Sequence, residues 1–335
     1  MEYWVLAYYH FAPVEDPALE VARHHAFFFG RGMTGRIYLS KEGINGGVSG
    51  PIESCKTYME WLRSDSRFSR IEFKIHSHHE NAFPRMTVKR REQLVALDQK
   101  VDRQKGGSYV SPKEWREMLE SGEALLLDVR NDFEWDVGHF EGAERPPCRT
   151  FREAPAWARS LKQKHDPKTT KVMMCCTGGI RCELFSALMK EEGFEEVYQL
   201  QGGILKYAEE EGGKHWKGKL FVFDDRLAVD INPDDGEGVG RCHRCQTPTD
   251  HPYNCANMDC NALFLSCKGC LEVLKGCCCK GCSEGPRVRP LSHQTAKPFR
   301  RWHHYFSEKG SPRPSEPKPR GPLVARNSAE CRSTS

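Results

Sequence analysis

Ten of the sixteen cysteines fall between residues 242 and 282, and that density constrains the chain more than any other feature. The opening residues, MEYWVLAYYH, show no basic stretch followed by an apolar one, so no secretory leader is expected. Clustered thiols in a reducing compartment bind metal or do redox work rather than build a disulfide framework. Eight of them form four pairs: Cys242 with Cys245, Cys255 with Cys260, Cys267 with Cys270, and Cys279 with Cys282. Two residues between thiolates let both reach one tetrahedral ion from a tight turn. Eight thiolates are enough for two structural Zn2+ sites with every ligand supplied by protein. The metal would organise a segment short of apolar side chains. An iron–sulfur cluster is the alternative. Cys277 and Cys278 are left over, so the fourth pair can shift register, and His243 or His251 can replace a cysteine.

The chain of 335 residues leaves room for two further domains. No run approaches ~18 consecutive apolar residues, so no transmembrane helix is expected. Residues 1–97 alternate strand-like and helix-like patterns. Tyr3 to Phe11 is aromatic and β-prone, Asp16–Pro17 is a helix start, and Arg36 to Leu39 is a short strand. KEGINGGVSG reads as a glycine-rich turn between strands, and the rest completes a ferredoxin-like α+β unit. Residues 98–110 are polar and read as a linker. Ser111-Pro112-Lys113-Glu114 is a capping box opening a second domain, 111–220. There, short apolar runs at 124–127 and 171–174 alternate with helical patterns, which is α/β order with a parallel sheet. The cysteine module takes 221–290, and a Pro-rich tail takes 291–335.

Charge is uneven. Residues 286–335 carry 11 Lys and Arg against 3 Glu. KPFRRWHHYF at 297–306 interleaves basic and aromatic residues, a pattern that grips phosphates and stacks on bases or else packs on the body. Arg85, Lys89, Arg90 and Arg91 form a second basic cluster with the same two readings. RNA is the partner that both clusters fit.

The strongest catalytic candidate is Cys176 in CTGGIRC, placed after a strand and before a helix. A thiol acts as a nucleophile through its thiolate. The backbone N–H groups of a loop built from Thr177, Gly178, Gly179 and Ile180 form a nest for an anion, and the helix N-terminus adds its positive end. Arg181 adds charge at the rim. Read from Cys175 the loop is C-x-x-G-x-x-R, the cysteine-phosphatase pattern. Read from Cys176 it is C-x-x-G-x-R, the shorter rhodanese loop, and spacing alone leaves both open.

Asp128-Val129-Arg130, Glu134 and GHFEGA at 138–143 resemble the segment on the N-terminal side of a rhodanese active loop. Gly193-Phe194 with Gly202-Gly203-Ile204 resemble the segment on its C-terminal side. Asp128, Arg130, Glu134 and His139 read as scaffold. KEGINGG at 41–47, FREAPAW at 151–157, CTGGIRCE at 176–183 and the cysteine-rich end together resemble the rhodanese-domain family that includes the oxygen-dependent tRNA uridine(34) hydroxylases. The paired cysteines and KPFRRWHHYF also resemble its plant branch. The resemblance implies an acylphosphatase-like first domain, a rhodanese second domain, and Cys176 rather than Cys175 as the loop cysteine. It also places Cys182 among the family's cysteines.

The implied activity is C5 hydroxylation of the wobble uridine with dioxygen as co-substrate. Cys176, Arg181 and Cys182 are the expected catalytic set, tRNA is the expected partner, and the cytoplasm is the expected compartment. The chloroplast is the alternative if a transit peptide has been removed. Two other activities stay open: a sulfurtransferase that takes sulfur from a donor as a Cys176 persulfide, and a zinc-stabilised RNA-binding adaptor.

Overall fold

The computed structural model describes residues 2–232 and 238–291, which fall into two compact units divided at Gly238 and Val239. The segment 297–306 and nearly all of the Pro-rich tail lie outside the described residues.

The first unit opens with strand β1 (Tyr3–Phe11) and helix α1 (Pro17–Phe28). Asp16 caps that helix, its carboxylate accepting from the Ala18 and Leu19 amides at 2.9 and 3.0 Å, with Pro17 at the first position. Next come β2 (Thr34–Ser40), β3 (Gly43–Pro51), α2 (Ile52–Arg63), β4 (Glu72–His78) and β5 (Met86–Arg90). The strand order β4-β1-β3-β2 is the ferredoxin-like one, extended by β5 parallel to β2. The glycine-rich stretch expected as a turn is in fact β3, at the centre of the sheet, paired with β1 and β2. Its neighbours supply the β-branched and aromatic side chains, so β3 needs few of its own. Leu6, Tyr8, Ile37, Ile44 and Val48 point to the helix-covered face and are buried. Ala7, Tyr9, Arg36, Asn45 and Gly47 alternate with them and occupy the opposite face.

The second half of this unit is built on a four-stranded parallel sheet, β6 (Ser108–Val110), β10 (Val197–Leu200), β9 (Val172–Cys175) and β7 (Leu125–Asp128) in that order. The stretch expected as a linker therefore ends in an edge strand, because Ser108–Val110 pairs with Tyr198–Leu200. The capping box forms: Ser111 Oγ accepts from the Glu114 amide, the Glu114 carboxylate accepts from the Ser111 amide, and α3 (Pro112–Ser121) ends on Gly122 at φ +65°. α4 (Asp132–Val137), β8 (Gly138–Phe140) and α5 (Ala154–Lys164) lead to β9, and α6 (Ile180–Glu191) leaves it. α7 (Gly203–Glu211), β11 (Trp216–Gly218), β12 (Leu220–Phe221) and β13 (Ala228–Val229) complete the unit. Residues 221–232, expected with the cysteine module, belong here because β12 and β13 pair as a hairpin within this unit.

Asp128 and Arg130 form a fully buried bidentate pair, and Arg130 also donates to the Gly138 carbonyl at 2.6 Å. This clamp ties the end of β7 to β8 and so holds the wall beside the loop. Asp128→Asn leaves an uncompensated buried guanidinium and is expected to cost about 3–5 kcal/mol of unfolding free energy. Asp136→Asn, which loosens only a partly exposed pair with Arg145, is expected to cost less than about 1 kcal/mol. Denaturant unfolding of both variants checks this.

The second unit carries β14 (Pro252–Asn254) and β15 (Leu263–Leu265) as a hairpin, then α8 (Lys268–Val273) and α9 (Lys280–Ser283). Among the described residues, no helix is long and apolar enough to cross a membrane.

Candidate active site and metal centres

β9 delivers Cys175 and Cys176 to the base of the loop, and the loop turns into α6 at Gly179. Gly179 sits at φ +104°, and a Cβ there would lie 2.9 Å from the Tyr9 hydroxyl, so the position requires glycine twice over. The Gly179 amide donates to Cys176 Sγ at 3.1 Å. The Ile204 and Leu205 amides donate to the carbonyls of Cys176 and Thr177 at 3.0 and 3.1 Å, so the start of α7 holds the loop from behind.

The three neighbouring thiols differ sharply. Burial works against a thiolate at Cys176. The Cys182 thiol, the Arg181 charge and the Cys182 and Arg181 amides outweigh it and bring Cys176 down to about 5. Burial drives Cys175 and Cys182 well above the ordinary thiol range. Electrostatics and geometry favour the anion at the same thiol: the Gly179 amide faces Cys176, while burial favours the neutral form of Cys175. Cys182 is fully buried, and its thiol donates to the Met174 carbonyl at 3.9 Å.

Arg181 differs from expectation. Its guanidinium is not free at the rim. Nη1 and Nη2 meet the two Glu134 carboxylate oxygens at 2.6 and 2.9 Å, and Nη2 also reaches Thr177 Oγ1 at 3.3 Å. Glu134 is fully buried, and Arg181 holds its carboxyl below the usual range against that burial. The pair pins the loop's shape and keeps a positive charge next to Cys176. His139 lies apart from the thiol, stacked on Trp135 at 3.6 Å between ring centroids.

Sequence reasoning missed what covers the loop. The helix-free face of the first sheet lies over it. Tyr9 donates to Glu183 at 3.1 Å, and Lys74 donates to the Gly178 carbonyl at 3.1 Å. Between sheet and loop is a cavity of about 470 Å3, lined on one side by Cys176, Thr177 and Arg181 and on the other by Ala7, Asn45 and Gly47. Phe223, next to β12, closes a third side. Such a volume falls in the ordinary range of small-ligand pockets. No local motif announces this cavity, because its two main walls come from separate domains, residues 7–47 and 176–181.

In the second unit, two groups of four thiols come together. Cys242, Cys245, Cys267 and Cys270 have their sulfurs within 4.8 Å of one another, and so do Cys255, Cys260, Cys278 and Cys282. Tetrahedral Zn–S bonds of ~2.3 Å place sulfurs ~3.8 Å apart. The Cys245–Cys267, Cys260–Cys278 and Cys278–Cys282 separations are 3.5, 3.7 and 3.7 Å, so the donor sets fit a thiophilic ion. One expected ligand changes: Cys278 replaces Cys279. Cys279 is the extended residue that caps α9, while Cys278 donates its amide to Cys255 Sγ at 3.4 Å and turns its own sulfur into the group. His243 and His251 belong to neither group.

Three family models match: the UPF0176 acylphosphatase-like domain over residues 3–94, the rhodanese-like domain over 111–210, and a rhodanese C-terminal model over 217–283. The chain is 56% identical over 308 residues to the tRNA uridine(34) hydroxylase of Protochlamydia amoebophila, covering 91% of this chain and 96% of that protein. It is 51% identical to the one from Chlamydia abortus, covering 90% and 93%. The solved rhodanese-like domain from Anabaena sp. aligns with 33% of this chain and 78% of its own, at 20% identity and a TM-score of 0.28.

Alkylation of Cys176 by iodoacetamide, read by peptide mass spectrometry, is expected to rise with pH around about 5 and to be flat through neutrality. A midpoint above 8 contradicts the loop electrostatics. Protein purified without chelator is expected to hold two metal equivalents, with one lost in Cys278→Ser and both kept in Cys279→Ser. Elemental analysis reads this directly.

Proposed function

The chain belongs to the tRNA uridine(34) hydroxylase family, and on that premise we propose that Cys176 is the reactive thiolate in C5 hydroxylation of a tRNA wobble uridine. The observation that carries the reading is the Cys176 sulfur facing the Gly179 amide, with Arg181 beside it, in the wall of a cavity of about 470 Å3. A wobble base stands in a single-stranded loop, so it can leave its stack and enter a closed pocket at low cost. Dioxygen is the oxidant in this reading, and tRNA is the partner.

Within it, Arg181 and Cys182 are positioning groups: one fixes loop shape and charge through Glu134, the other is a buried neutral thiol that favours the Cys176 anion. The Gly179, Arg181 and Cys182 amides form the anion nest. The two four-cysteine groups hold structural Zn2+, since every position is filled by a protein thiolate and none is left open for substrate. Free thiolate and reduced metal ligands both fit a cytoplasmic setting. A sulfurtransferase is not favoured, because relatives spanning nine-tenths of the chain carry the hydroxylase name.

Nucleoside mass spectrometry tests the proposal. In cells lacking wobble-uridine hydroxylation, this protein is expected to restore a uridine one oxygen heavier, and Cys176→Ser is expected to restore none. Unmodified uridine with both proteins folded and abundant would overturn it.

A further inference from the structure

The geometry points to Asn45 as the specificity-determining residue of the cavity, reading the N3–H of a uracil ring. The inference rests on the proposed uridine substrate and adds how uridine is told from cytidine.

Asn45 lies in β3 directly between Tyr9 of β1 and Tyr38 of β2. Tyr9 abuts Gly179, so Asn45 is one strand away from the Cys176 loop and on the same face of the sheet. It is the one carboxamide among the described lining residues. Three of the other polar groups that line the cavity are already engaged: Tyr9 with Glu183, Lys74 with the Gly178 carbonyl, and Arg181 with Glu134.

The amide has a preferred orientation. Asn45 Nδ2 faces the Leu94 carbonyl at 3.5 Å. The contact is long, but the flipped amide would set two oxygens against each other. Orientation therefore leaves Oδ1 for a guest, and no protein donor among the described residues reaches it. Gly47, two residues on and on the same face, seats a wall of the cavity: a Cβ there would lie 2.9 Å from Phe83 Cζ, so any side chain would push that ring into the cavity. This gives the glycine-rich motif a purpose that a turn does not: asparagine to read, glycine to seat the wall beside it.

Uracil presents N3–H as a donor, whereas cytosine presents a bare N3 lone pair. An oriented amide oxygen accepts from the first and is repelled by the second. A buried site that leaves a polar atom unpaired loses roughly ten- to hundredfold in affinity.

The test is fluorescence anisotropy with the full chain and labelled anticodon stem-loop RNAs that carry U34 or C34. The wild type is expected to favour U34 by roughly tenfold or more. Asn45→Ala is expected to bind both alike. A wild-type denaturation midpoint for Asn45→Ala, measured alongside, guards against a folding defect in that variant. The proposal is overturned if Asn45→Ala keeps the wild-type ratio, if the wild type binds both RNAs alike, or if it binds neither. Binding and chemistry fail separately. A wild type that prefers U34 but leaves it unmodified sinks the hydroxylase reading alone, and an Asn45→Ala protein that hydroxylates with an unchanged ratio sinks this inference alone.

Discussion

A buried thiolate must be met by fixed dipoles and charges, and the arrangement around Cys176 comes from that requirement. The cost of burial is met locally by loop amides and the Cys182 thiol, and at slightly longer range by Arg181. None of these would hold position alone. Glu134 fixes Arg181, and the Asp128–Arg130 pair fixes the wall on which α4 begins. The start of α7 grips the loop carbonyls from behind. In a medium of low dielectric each contact is stronger than it would be in water, and each is costly to leave half made.

The first domain completes the site rather than merely adjoining it. Its sheet has helices on one face only. The bare face carries small residues at its centre, Ala7 and Gly47, and larger polar ones around them. Laid over the loop, that face leaves a cavity beside the sulfur. Lys74 and Tyr9 tie sheet to loop, so the depth of the space is fixed by hydrogen bonds and not by loop fluctuation.

Much of this is legible in the sequence, and the limits have physical reasons. The Ser111 capping box, the buried runs of β7 and β9 and the Asp16 helix start are local signals and form as expected. β3 reads as a turn because its glycines carry no β signal. Its strand character comes from pairing with β1 and β2 on both sides, which no local pattern displays. The shift from Cys279 to Cys278 has a similar origin: three successive cysteines look alike in one dimension, and closure with Cys255 and Cys260 decides between them. The sequence sets Arg181 at the rim because nothing near it shows Glu134 waiting 47 positions upstream.

The central claim is that the wobble base enters the space between the first sheet and the Cys176 loop. Photocross-linking an anticodon stem-loop with 5-iodouridine at position 34, then mapping the linked peptides, measures this most directly. The expected cross-links fall on both walls, in the β1 and β3 peptides of the sheet and in the peptide containing Cys176. Cross-links confined to the cysteine module or to the outer surface of the α1–α2 layer would contradict it.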